Sequence, residues 1–211
     1  MFRAALGNVS PMVIRVIAVP DDLDLPTFDE VFRTVPGWDG MGFIFRVHRQ
    51  EYNSFRRRSR SIMLRDFQLR RQEKFLYTCG VIDLWEWEVR LLDIEAGADG
   101  DDAPICLGGR GAAPPEYCGG PTGYRLMLKR QAEGKSMCTP TQVESVIDML
   151  SVSDLDVPVS TWDLPRKTLD DGMISIDKRL EQYGPLDPAC FSLKDANQRL
   201  AKREEQGRFR T

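Results

Sequence analysis

Hydrophobic and polar positions follow recognisable periods along much of the chain. Met12 to Val19 is apolar apart from Arg15 and rich in Val and Ile, which predicts a strand buried on both faces. Thr27 precedes Glu30 at capping-box spacing. Phe28, Val31, Phe32 and Val35 then recur with a helical period, predicting an amphipathic helix that Pro36-Gly37 ends. Phe43, Phe45 and Val47 alternate with Ile44 and Arg46 as a second strand. Residues 49–61 are polar and basic, a loop or an edge hairpin, and Leu64 to Leu69 reads as a single helical turn. Phe75 to Cys79 and Leu84 to Asp93 predict two more strands. In the second, Trp85, Trp87, Val89 and Leu91 share one side, and Glu86, Glu88 and Arg90 the other.

The second half is less regular. Residues 104–120 are dense in Gly, Pro and Cys, which predicts irregular backbone. Pro121 suits the first turn of a helix running to about Gln131. Thr139-Pro140 with Gln142 caps another, whose buried stripe is Val143, Val146, Ile147 and Leu150, and residues 151–175 form an irregular connection. Ser192 with Asp195 opens a last helix that frays into a charged tail from Lys202 to Thr211. This order predicts the α+β class: a mixed or antiparallel sheet with packed helices. A core domain spans 1–138, and a C-terminal helical extension over 139–211 packs on it.

Composition narrows the class. With 211 residues, 42% hydrophobic and 29% charged, the chain is long enough for one core without staples, and near the globular average. That composition excludes wholesale disorder, collagen-like repeats and coiled coils. No apolar run approaches the roughly 18 residues of a membrane span. The N-terminus has only Arg3, and Ala4 to Ile14 is broken by Gly, Asn, Ser and Pro, a poor signal peptide. The expected location is cytoplasmic. Five cysteines, odd in number and widely spaced, agree with a reducing compartment.

Charge is unevenly placed. From Arg46 to Lys74 there are ten Lys or Arg against three acids; from Asp83 to Asp102 there are eight acids against one base. Two solvated faces of opposite sign are one reading. The other is a basic patch for DNA or RNA made by Arg56, Arg57, Arg58, Arg60, Arg65, Arg70 and Arg71, with Tyr52 and Phe55 interleaved for base stacking.

Catalytic signatures are weak. The segment CLGGRGAAPPEYCGGPTGY lacks the Lys-Ser/Thr pair of a phosphate-binding P-loop. Cys106 and Cys118 lie twelve apart without a second close pair, so packed thiols are expected and no metal or cofactor. His48 is the single histidine, and any Ser-His-Asp or His-rich constellation has to include it. No catalytic residue is assigned. Trp38, Asp83, Trp85, Glu116, Cys118 and Tyr124 form a candidate cleft, against the plainer reading of the tryptophans as core.

CGGPTGYRLML, preceded by GRGAAPPEYCGG, resembles a hallmark of the plasmid pRiA4b ORF-3-like family. Further matches follow in order: the strand with Arg15, then Val19-Pro20, then Gly37-Trp38-Asp39; LRDFQLRRQEKFLYTCG with Asp83 and Trp85; and PLDPACFSLKDANQRL near the end. The resemblance implies a mixed sheet with packed helices in a plasmid- and transposon-associated protein, similar to TnpR-like passenger proteins of insertion elements. Where family members carry His-x-His, this chain has Met41-Gly42-Phe43; a further family His corresponds to Trp87, an Asp to Thr78 and a Cys to Ala113. Val81 and Ile82 are inserted, and Thr139 to Tyr183 is long. A polar cluster largely replaced by apolar groups implies packing. The leading expectation is a non-enzymatic accessory protein of a mobile element that docks on nucleic acid or on a mobile-element protein. The alternatives are an enzyme of unknown reaction using the cleft, and a protein-binding adaptor.

Overall fold

The structure, a computed structural model, describes residues 1–40, 42–80, 83–95, 103–133, 185–207 and 209. The boundary expected at 138, the helix expected from Thr139 and the connection over 151–175 lie outside the described residues. The strands are β1 (Phe2–Leu6), β2 (Ile14–Ala18), β3 (Phe43–Val47), β4 (Gln50–Asn53), β5 (Lys74–Cys79), β6 (Trp85–Leu91) and β7 (Ile105–Arg110). The helices are α1 (Leu25–Thr34), α2 (Gly120–Ala132) and α3 (Leu193–Glu205). The described residues form two units: Met1–Glu116 with Asp187–Thr211, and Tyr117–Leu186.

The first unit holds one sheet, ordered β4-β3-β5-β6-β1-β2-β7, antiparallel at every pairing. With helices on it, the chain is α+β. The buried side carries Phe2, Phe45, Phe75, Tyr77, Trp85 and Trp87, and α1 adds Phe28 and Phe32. Phe28 stacks on Phe45 at 5.6 Å between centroids, and Phe45 on Tyr77 at 4.8 Å. Burying each such ring contributes about 2–3 kcal/mol, which makes this aromatic cluster the main cohesive element.

Several elements differ from the pattern-based expectation. β1 was not signalled, because five residues with two alanines are too few to stand out; Phe2, Ala4 and Leu6 nevertheless face the core between β6 and β2. β2 is fully buried on one face only: Val13, Arg15 and Ile17 point inward, while Ile14, Val16 and Ala18 are half-buried. β7 is an edge strand despite its glycines, with a register shift at Leu107 between the Ile17–Cys106 and Val16–Gly108 pairs. A Cβ at Gly109 would lie 2.7 Å from the Ile14 carbonyl oxygen and 2.9 Å from the Phe191 ring, so close packing and not irregularity explains that glycine. The cap of α1 is Asp24, whose carboxylate accepts from the Thr27 amide at 2.8 Å, one turn earlier than the expected Thr27–Glu30 box.

α3 begins as predicted, with Ser192 Oγ accepting from the Asp195 amide at 3.2 Å. It does not fray at Lys202. Arg203 reaches Glu30 at 3.5 Å and Asp39 at 3.4 Å, and Arg199 donates to the carbonyls of Thr34 (3.1 Å) and Val35 (2.7 Å) at the end of α1. A cation on those carbonyls offsets the helix dipole, which ties α3 to α1. Asn197 binds the free edge of β7 on both sides, accepting from the Cys106 amide (2.8 Å) and donating to the Cys106 carbonyl (2.9 Å). An edge covered in this way is not open to another strand at that residue.

In the second unit, α2 follows the Cys-Gly-Gly-Pro run. Gly119 and Gly120 have φ of +86° and +65°, and a Cβ on Gly123 would sit 1.7 Å from the Cys118 carbonyl oxygen. The motif's glycines are therefore steric requirements of this helix start. Gln131 closes the other end by donating to, and accepting from, the backbone of Leu186 at 2.7 Å each.

Candidate functional site

Trp38, Trp85 and Glu116 meet at the end of the sheet where β6 begins. The two indoles stack at 5.5 Å with planes 24° apart, and Trp87 lies 5.7 Å from Trp38. Trp38 Nε1 donates to the Pro114 carbonyl at 2.9 Å, and Trp85 Nε1 to the Glu116 carbonyl at 3.0 Å. The Glu116 carboxylate accepts the amides of Asp39 (2.6 Å) and Gly40 (2.5 Å). All three side chains are buried. Burial pushes the Glu116 carboxyl above its ordinary range, against the opposing pull of those amides. The trio is a clamp joining the loop after α1 to the loop after β7. Asp83 lies half-buried just before β6; Cys118 and Tyr124 belong to the second unit, where both are buried.

Beside the clamp runs a buried polar chain. Arg33 pairs with Asp29 at 2.9 Å and donates to the Gly40 carbonyl; Tyr77 donates its hydroxyl to Asp29 at 2.5 Å. Burial raises Asp29, and Arg33 and Tyr77 hold it down in part. Trp87 and Thr78 are both buried. Among the described residues no group of three or more His, Cys, Asp or Glu is arranged to hold a metal ion.

The charged runs neutralise each other in part. Arg46 reaches Glu51 (3.5 Å) and Glu86 (3.7 Å), Lys74 reaches Glu88 (2.7 Å), Arg71 reaches Asp93 (2.5 Å) and His48 reaches Glu73 (2.8 Å). Three of these pairs link the two runs: Lys74–Glu88 on neighbouring strands β5 and β6, Arg46–Glu86 across β5, and Arg71–Asp93 beyond the strand ends; Glu51 and Glu73 belong to the basic run itself. What remains is the loop after β4. Arg56 precedes a 3₁₀ turn over Arg57–Ser61; Arg56, Arg57 and Arg58 are exposed and make no ion pair with a described residue. The side chain of Arg60 lies outside the described residues. Arg65, on the next 3₁₀ turn, is exposed; its guanidinium donates to the Met63 sulfur at 3.0 Å, and its backbone amide to the Asp21 carbonyl at 2.8 Å. Arg70 is exposed beside Glu73, whose carboxylate takes the Arg70 amide at 2.7 Å.

Of the two aromatics in this run, Tyr52 is not available for stacking. Its ring packs on Phe67 at 5.2 Å and its hydroxyl donates to Gln50. Phe55 is 80% exposed. β4 and β7 are opposite edges of the sheet, so the arginine loop and the Gly-rich strand Ile105–Arg110 are separated by the five strands between them.

Two residues that sequence patterns did not single out as structural hold this unit together. Arg15 is buried, its guanidinium 4.2 Å from the Phe191 ring centroid, with Nη1 donating to the carbonyls of Ile14 (2.7 Å) and Arg110 (3.0 Å); burial lowers its pKa to about 10. Asn197 is the second. An arginine alone in an apolar strand was the available signal for Arg15. Nothing in spacing marks Asn197, because its partner lies 91 positions away.

Comparison with known proteins bears on these elements together. The model of the plasmid pRiA4b ORF-3-like protein family matches residues 1–152. The uncharacterised protein y4hQ of Sinorhizobium fredii is 24% identical over 178 residues, covering 80% of this chain and 89% of that one. The crystal structure of a protein of unknown function from Methanosarcina mazei Go1 shares the fold, with a TM-score of 0.59 and 19% identity over 92% of this chain and 93% of the other. With the family model covering well over half of its length, the chain belongs to the plasmid pRiA4b ORF-3-like protein family.

Proposed function

We propose that the protein is an accessory binding protein of a plasmid or transposon that docks on nucleic acid through the arginine loop after β4. The observation that carries this reading is the contrast within one basic run. Arg46, Arg71 and Lys74 are paired with acids, whereas Arg56, Arg57 and Arg58 stand exposed without a described counter-charge. Unpaired guanidiniums attract phosphates and release the counterions condensed on them. The family's plasmid association supports a partner of that kind. The cleft reading has less support, because Trp38, Trp85 and Glu116 are buried and spend their polar groups on backbone.

Fluorescence anisotropy with a labelled oligonucleotide tests the reading. Binding at about 50 mM salt should fall steeply by about 200 mM, and Arg56→Glu, Arg57→Glu and Arg58→Glu together should abolish it. The three side chains are exposed, so the variant's urea midpoint should match the parent's. Absence of binding by the parent at low salt, or full binding by the folded triple variant, refutes the proposal.

A further inference from the structure

The arginine loop carries one feature that phosphate attraction does not explain. Phe55, immediately before the arginines, is 80% exposed, more than any other large hydrophobic side chain among the described residues. Its exposure is not a matter of a loose backbone. The Ser54 amide donates to the Phe43 carbonyl (3.1 Å), and the Arg56 amide to the Asn53 carbonyl (3.2 Å) and Asn53 Oδ1 (3.1 Å). Ser59 then locks the turn: its amide donates to the Arg56 carbonyl (3.0 Å) and its hydroxyl accepts the Asn53 amide (3.2 Å). A phenyl ring is thus presented to solvent from a turn hydrogen-bonded on both sides, so the backbone that carries it is ordered before any ligand arrives.

We infer that Phe55 is a stacking platform for an unpaired base, and that the ligand of the arginine loop is single-stranded nucleic acid. This rests on the nucleic-acid reading above. A ring face contributes to binding by covering another π-face, and a duplex hides those faces between its base pairs, whereas a single strand presents them. The arginines agree. A 3₁₀ turn advances about 120° per residue, and with Ser59 buried, Arg57 and Arg58 leave the turn on different sides. Diverging guanidiniums track a flexible backbone that bends around the ring more readily than the straight wall of a groove. A five-residue turn is also too short to lie along a major groove as a recognition helix does.

The experiment compares one fluorescein-labelled oligodeoxynucleotide of mixed sequence, alone and annealed to its complement, at fixed low salt. The single strand should bind at least about tenfold more tightly. Phe55→Ala should remove that preference while the salt slope persists, and Phe55→Trp should retain the preference. Phe55 is exposed, so unchanged urea midpoints verify that each variant folds. Equal or tighter binding of the duplex, or a preference that survives Phe55→Ala, overturns the inference and leaves the nucleic-acid reading in place. Binding of neither form by the parent overturns both.

Discussion

Replacing Glu116 with alanine removes the acceptor for two backbone amides, those of Asp39 and Gly40, from a buried position. A hydrogen bond to a charged group contributes about 1.5–3 kcal/mol, so the pair grosses about 3–6 kcal/mol. Deleting the carboxylate also relieves its own desolvation, which offsets part of this and leaves a net loss of about 2–4 kcal/mol. That is a large share of a domain stability of about 5–15 kcal/mol. Urea unfolding followed by tryptophan fluorescence reports it directly, because Trp38 and Trp85 belong to the same clamp. With a slope near 2 kcal/mol per molar, the midpoint should fall by about 1–2 M. A shift below about 0.2 M would refute the clamp. Glu116→Gln adds a pH arm. Burial holds the Glu116 carboxyl above its ordinary value of 4.5, so over that window the folded chain keeps a proton that the unfolded chain has released. This contribution is complete below the unfolded value and lost as pH rises through the folded one. The parent's advantage over the Gln variant should therefore grow on acidification from neutral pH. An advantage that shrinks instead contradicts the raised carboxyl.

Two further outcomes follow from the edge strand and the thiols. Asn197→Ala leaves the Cys106 amide and carbonyl without their side-chain partner, so thermal unfolding should show a loss of about 1–2 kcal/mol. Light scattering should show self-association through the uncovered β7 edge, and a variant as stable and monodisperse as the parent would remove this role. Brief iodoacetamide treatment followed by peptide mapping should modify exposed Cys190 and spare buried Cys79, whose thiol burial pushes up to about 12; early labelling of Cys79 would contradict its placement.

The legible parts of the fold were those carried by local period. The strand Trp85–Leu91 alternates without interruption because one face is dry and the other wet, and α1 repeats its apolar residues because one stripe packs on the sheet. β1 was missed because its position between β6 and β2, and not its own composition, makes it a strand. β7 was misread because glycine ordinarily weakens strands, whereas Gly109 here admits the Phe191 ring. At the candidate site, the arginine run was plain in the sequence, but its ion pairs were not. Arg71 and Asp93 are 22 positions apart and become neighbours only through strand pairing. Tyr52 and Phe55 looked equivalent until Phe67 covered one ring and left the other bare.

Local chemistry along the chain determined the α+β class, the starts of α2 and α3, the family and the basic segment, since period, capping and motif spacing act over a few residues. Tertiary structure alone decided which charges cancel, which aromatic faces solvent, that Glu116 closes a clamp on the loop after α1, and that Asn197 covers an edge. Those outcomes depend on partners tens of residues away, brought within about 3 Å by the register of the sheet, and no pattern read over a short window contains that information.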